Sequence, residues 1–346
     1  MWIVSRIGVV RCLAAAVLFG ASAPAASVLA GEMPALVLAG LLYLGAAVAV
    51  TPAVVRHRPS ATALSAGWRP LAVAVVFGGA LGPVLLVSGL ARTSAATASL
   101  LLNFELVATI GFAASLFREH LGGRFVAAAA VVASAGAILV WQPGVAFDTG
   151  GLFVIGACIC WGLDNAVTSR IDQLSPEQIT LTKGLVAGGV NLMLGLMLAS
   201  SSGIDGGSVV AALAIGAVGY GVSITLWVKG ARDLGAARGQ VIFAAAPFIG
   251  AVVAWVALGD AVTVAQVVAV PVAAAGVGLS LRSGHVHEHA HEQVIHEHEH
   301  RHDDGHHTHT HSPPVTGRHT HRHEHPVLVH AHPHVPDLHH RHPHHG

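Results

Sequence analysis

The residues able to do chemistry stand out because so few of them interrupt the apolar stretches of this chain. Only 10% of its 346 residues are charged and 53% are hydrophobic, whereas a soluble domain carries about a quarter charged residues. Glu105 lies near the middle of an apolar run at 94–117, with Asn103 two residues before it. Asp164 and Asn165 lie inside a run at 151–170. Lys183 opens a run at 179–200, and Lys183, Ala187 and Asn191 recur at four-residue steps, which places them on one helical stripe. An ionised acid at the centre of a hydrocarbon span costs about 2.5–3.5 kcal/mol, so such a side chain must face a cavity or a partner. Asp164, Asn165, Lys183 and Asn191 are therefore expected to form a polar cluster between two helices. Glu105 and Asp164 fit two roles: a carboxylate binding substrate or a proton in a central cavity, or a neutral acid in an interhelical hydrogen bond. Lys183 fits the cavity or a snorkelling position at the membrane interface. With Asn103, these six are the candidate substrate-binding or coupling residues.

A second concentration of chemistry follows Arg282. Of 26 histidines only His57 and His120 precede it, which leaves 24 in residues 285–346. The segment opens HVHEHAHEQVIHEHEHRHDDGHHTHTH. In it His287, His289, His291, His296, His298, His300, His302, His306, His307, His309 and His311 are candidate metal ligands. Neutral imidazole suits Zn, Ni, Co and Cu, and neighbouring carboxylates help. So polar a composition buries no core, and residues 283–346 are expected to be a disordered tail. Four uses compete: metal delivery to a pore, metal-sensing control of a pore carrying something else, pH sensing by imidazoles titrating near 6.5, or an inert appendage. The apolar region offers no matching site. It has no histidine, clustered acids or thiolate pair, since Cys158 and Cys160 would point about 200° apart on a helix and read as buried hydrophobes.

A membrane span needs about 20 mostly apolar residues. Ten stretches qualify, at 9–30, 33–55, 70–91, 94–117, 124–141, 151–170, 179–200, 208–228, 238–258 and 261–281. Ala21-Ser22-Ala23 resembles a signal-peptidase site, but cleavage there would leave an internal repeat one helix short, so the first helix is expected to be retained. With both ends inside, 13 Lys and Arg lie in the inner segments and Arg92 alone in the outer loops, a bias that sets both termini in the cytoplasm. Pro24, Pro83, Pro247 and Pro271 interrupt spans and are candidate hinges or packed kinks. Gly184 and Gly188 mark close helix packing. Trp2, Trp68, Trp141 and Trp255 fall near span ends as anchors do, and Trp161 and Trp227 fit either a pore gate or, more simply, packing.

The two halves overlay at an offset of about 141 residues. GLARTSAATA (89–98) meets GARDLGAARG (230–239), ELVATIGFAASLFRE (105–119) meets APFIGAVVAWVALGD (246–260), and Glu119 meets Asp260 at the same helix end. Five helices per half make the second enter the membrane inverted, an architecture of secondary transporters with a site between the halves. On SAATASLLLNFELVATIGFAASLFREHLGGR (94–124) and GAARGQVIFAAAPFIGAVVAWVALGD (235–260), the chain resembles the EamA-type transporters of the drug/metabolite transporter superfamily. The pattern is a small-residue helix start, a mid-helix Glu-Pro pair and a later acid. The first half keeps Glu105 and Glu119 with Leu106 in the proline's place, and the second keeps Pro247 and Asp260 with Ala246 in the acid's place.

The resemblance implies an all-α polytopic fold of ten transmembrane helices in two inverted five-helix units, 1–148 and 149–282. It also implies a bacterial-type inner membrane and export of a small organic metabolite by alternating access, with proton coupling through Glu105 or Asp164 as one possibility. Two alternatives stand beside it: divalent transition-metal efflux loaded by the histidine tail, and a non-transporting metal or pH sensor. No nucleophile–base pair, cofactor motif or phosphate loop points to an enzyme; a net charge of zero says nothing about an anionic partner, and no nucleic acid is expected. The expected partners are the lipid bilayer, the solute, a metal ion on the tail and, left open, a second copy as homodimer.

Overall fold

The computed structural model describes residues 6–117, 123–140, 148–168, 171, 173–199, 204–234 and 242–281, and in the tail the backbone of 285–291, 294–300, 319–325 and 328–334. Glu119, Trp2, Trp141, His302, His306, His307, His309 and His311 lie outside the described residues, as does the motif segment 235–241. Seven helices are long and apolar enough to cross a bilayer, and three shorter apolar ones, Val126–Val140, Ala246–Ala257 and Val264–Leu279, bring the described spans to ten.

The first half runs α1 (Arg6–Ala30), α2 (Ala35–Arg56), α3 (Ala61–Val73), a π-helical segment (Ala74–Leu81), α4 (Gly82–Leu90), α5 (Ala95–Leu101), α6 (Phe104–Phe117) and α7 (Gly123–Val140). The second runs α8 (Thr149–Thr168), α9 (Pro176–Leu198), α10 (Gly206–Gly216), a second π segment (Ala217–Val222), α11 (Ser223–Leu234), α12 (Ala246–Ala257) and α13 (Val264–Leu281). The backbone repeats more closely than the side chains do. The third span of each half passes through a π segment. The fourth is broken by one tight turn, at 102–103 and at 244–245. The hydrogen bonds of the two turns match at a 142-residue offset. Asn103 N donates to Leu100 O and Leu106 N to Asn103 O; Ala245 N donates to Ile242 O and Phe248 N to Ala245 O.

Packing obeys the same exchange. α2 crosses α9, and α7 lies along α13. α1 packs on α11 and α12 of the other half, as α8 packs on α4 and α6. The second π segment lies on α2 as the first lies on α9. The α2–α9 crossing depends on glycine. A methyl at Gly184 would come within 2.6 Å of the Tyr43 carbonyl oxygen, and one at Gly188 within 3.0 Å of the Gly40 carbonyl oxygen.

The proline expectations divide. Pro24 and Pro271 lie inside α1 and α13. Pro83 and Pro247 instead sit in the first turns of α4 and α12, directly after the π segment and the tight turn. At Pro247, after the turn, the missing N–H has no helical partner anyway, whereas at Pro83 the helix runs on from the π segment and the missing N–H leaves one of its carbonyls open. The backbone departures at these two places are the π segment and the turn themselves.

The tail departs from the expectation of a chain without regular structure. Its described parts form four strands, β1 (His285–His291), β2 (Val294–His300), β3 (His319–His325) and β4 (Leu328–His334). They pair as two nested antiparallel ladders, β1 with β4 and β2 with β3. The cause is visible in the residues: His-x-His-x alternation has the period of a strand.

The packing gives a paired test. Gly184→Ala is expected to lower stability by about 1–3 kcal/mol, the usual cost of overpacking. Gly189→Ala, five residues on with nothing within 4 Å of the added methyl, is expected to leave the melting temperature of the purified protein unchanged.

Candidate substrate site

The polar residues converge on α8, which packs against α4, α6 and the first π segment. Asp164 is 4% exposed. Its Oδ2 receives the Lys183 ammonium from α9 in a buried ion pair. Its Oδ1 accepts the Thr168 hydroxyl at 2.9 Å, one turn along α8. The carboxylate fills the space beside Gly78, where any side chain would collide with it.

Gly78 is the meeting point of a second set of bonds. Its carbonyl accepts Tyr43 Oη from α2 at 2.6 Å and Trp161 Nε1 from α8 at 3.0 Å. The π register explains why this carbonyl is free. Gly82 N donates five residues back, to Phe77 O. The next donor in that register would be residue 83, and Pro83 has none. Two residues on, Ala80 O accepts Asn191 Nδ2 from α9 at 3.1 Å. The Gly78 carbonyl, freed inside a membrane helix, needs the donors that Tyr43 and Trp161 supply.

On the other side of α8, Asn165 Nδ2 donates to Glu105 Oε1 on α6 at 2.6 Å. Adjacent helical residues point about 100° apart, so Asp164 is buried in the bundle while Asn165 is exposed. The expected four-residue cluster is therefore split. Asp164 and Lys183 meet, Asn165 turns to Glu105, and Asn191 reaches the π segment. Asn103 bonds its own helix, donating Nδ2 to Leu100 O at 2.9 Å, and stands at the α5–α6 turn.

Sequence reasoning missed Tyr43 and took Trp161 for packing. Beyond Tyr43 a row of rings crosses the second half. Tyr43 and Tyr220 have centroids 5.9 Å apart, Tyr220 and Phe19 5.9 Å, Phe19 and Phe243 5.4 Å, and Phe243 and Trp227 5.8 Å. The available signal was scarcity, since both tyrosines of the chain stand in this row. Trp68 is exposed, as an anchor would be, whereas Trp255 donates its Nε1 to Gln266 Oε1 at 3.2 Å.

A separate network ties the ends of the halves. Asp260 Oδ2 accepts the Ala96 amide of α5 at 2.9 Å, and Gln266 Nε2 donates to Thr97 Oγ1 at 2.9 Å. The acid that the repeat singled out in the second half thus caps a helix of the first. Among the described residues no group of three or more His, Cys, Asp or Glu could hold a metal ion. Cys158 and Cys160 are free and buried.

The carboxylate–ammonium pair thus sits on helices packed against the other half, flanked by a second acid and a row of rings. Two inverted repeats of helices are an architecture of secondary transporters. The model of the EamA-like transporter family matches residues 6–142 and again 148–282. The chain belongs to this family, a membrane transporter family of the drug/metabolite transporter superfamily. A relative from Methanothermobacter thermautotrophicus, named an uncharacterized transporter, is 27% identical over 197 residues, which cover 54% of this chain. The match spans 56% of that relative's length. A protein solved by crystallography shares the fold, with a TM-score of 0.58 at 19% identity, over 79% of this chain and 96% of its own.

The ion pair makes a stability prediction. Removing one member of a buried pair strands the other and costs about 3–5 kcal/mol, whereas replacing both with apolar residues is often near neutral. Lys183→Met is expected to lower the melting temperature sharply, and adding Asp164→Leu to restore most of it.

Proposed function

We propose that this protein is a secondary carrier that exports a small organic solute across a cell inner membrane by alternating access between its inverted halves. The observation that carries the reading is the buried Asp164–Lys183 pair on helices that pack against the other half. A buried ion pair is weak grounds for stability alone, and an intramembrane ionisable pair reads first as function. Lys183 holds the anionic group of the solute, and Asp164 holds Lys183. Glu105, bonded to Asn165 on the neighbouring face of α8, carries the coupling proton. The excess of Lys and Arg in the segments shared with both termini supports cytoplasmic termini. In proteoliposomes screened with amino acids, nucleosides and organic acids, uptake is expected for one class. Lys183→Gln should lower its rate at least tenfold, and Glu105→Gln should remove the response to an imposed pH gradient. Uptake by the wild type that ignores the gradient would refute the proton coupling, and unchanged uptake by Lys183→Gln would refute the site.

A second reading is favoured by the register of the tail. His287 pairs with His332, His289 with His330, His296 with His323 and His298 with His321. Directly paired residues of an antiparallel ladder have Cβ atoms about 4.5–5.5 Å apart, a spacing at which two imidazoles chelate one ion. On this reading the tail holds Zn, Ni, Co or Cu and either loads or regulates the carrier. The test is a double-mutant cycle of Zn binding by the full chain. His287→Asn and His332→Asn together should cost no more than either alone if they share an ion. Additive losses would exclude a shared site. Deleting residues 285–346 without change in metal tolerance or accumulation would exclude metal loading.

A further inference from the structure

Among the described residues, two buried donors in the second half have no hydrogen-bond partner. Ser223 is wholly buried, and neither its Oγ nor the buried Trp227 Nε1 has a hydrogen-bond partner. They stand four residues apart on α11, hence on one face. Native proteins rarely leave such groups unpaired, and each case calls for a reason. An indole N–H only donates, so the missing partner is an acceptor.

The surroundings say what carries that acceptor. The Trp227 ring lies 5.8 Å from Phe243, which lies 5.4 Å from Phe19. The row continues through Tyr220 to Tyr43, whose hydroxyl reaches the Gly78 carbonyl beside the Asp164–Lys183 pair. Offset and edge-to-face ring contacts at such spacings favour another aromatic ring over a saturated one. Two neutral donors one turn apart match the two oxygens of a carboxylate, and they repel an ammonium group. At the far end of the row, Lys183 is the cation that an anionic solute would reach next.

We propose that Ser223 and Trp227, with Phe243 and Phe19, form a subsite for an aromatic carboxylate, whose oxygens take the two unpaired donors while its ring lies on the row. The proposal rests on the carrier reading and names its substrate class. The row then offers stacking positions between this subsite and the ion pair.

The test is calorimetry on the full chain in lipid nanodiscs, with phenylacetate, cyclohexylacetate and phenethylamine as probes. Phenylacetate is expected to bind at least tenfold tighter than cyclohexylacetate, and phenethylamine not at all. Trp227→Phe keeps a ring and removes the donor, and Ser223→Ala removes the other. Each should weaken phenylacetate about tenfold at an unchanged melting temperature. If Trp227→Phe does not fold, Ser223→Ala decides alone. Equal binding of phenylacetate and cyclohexylacetate, or wild-type affinity in both variants, overturns the subsite. Proteoliposome uptake separates the two ideas. Phenylacetate bound but never transported counts against the carrier reading and for the subsite; transport of other solutes without phenylacetate binding counts against the subsite alone.

Discussion

A backbone carbonyl released from its helix inside a bilayer must find another donor, because no water is there to supply one. In this protein that constraint falls on Gly78. The π register would pair its oxygen with residue 83, and residue 83 is proline. Tyr43 and Trp161 answer from two different helices, and Asn191 answers for Ala80 from a third. Four spans are thereby fixed at one level of the bundle. Asp164 is held against Gly78 by the same arrangement, since only a residue without a side chain leaves room for its carboxylate. The second half meets its own π segment differently. No proline follows it, and Thr225 Oγ1 bonds Gly221 O locally at 3.0 Å. The repeat is thus kept in backbone shape and broken in chemistry: the proline and the carbonyl it frees belong to the first π segment alone.

The exchange of spans between halves has a structural reason. A small apolar helix has little hydrophobic incentive to leave lipid for another helix, and close contact does the work instead. Glycines at 184 and 188 let α2 and α9 meet backbone to backbone. Polar bonds complete the seam, as where Asp260 reaches across to the α5 amide.

The sequence made the ten spans legible because length and hydropathy decide them, and the repeat because its acids and small residues recur in phase. The Asp164–Lys183 pair was legible because a charge in hydrocarbon demands a partner. Two things hid the rest. Asn165 and Asn191 were assigned by proximity in sequence, but adjacent residues on a helix face different neighbours, and the π segment offered Asn191 a carbonyl that no side-chain pattern announces. Tyr43 is hidden and Trp161 reads as packing for the same reason, since both bond backbone. The strands of the tail were written in its His-x-His alternation. That alternation was read as ligand spacing, and composition was allowed to overrule period.

The Ala80 carbonyl also fixes an order of events. Its donor, Asn191, lies 111 residues further along the chain. At ribosomal rates of about 5–20 residues per second, that delay is roughly 5–20 s. Gly78 waits less, because Tyr43 precedes it and is already in place when it emerges. The first half therefore enters the membrane before the side-chain donor to Ala80 O has been made, and α9 brings it. The polar seam between the halves is thus also a clock, closed first by Asn191 and later by Asp260 and Gln266, which lie further along the chain.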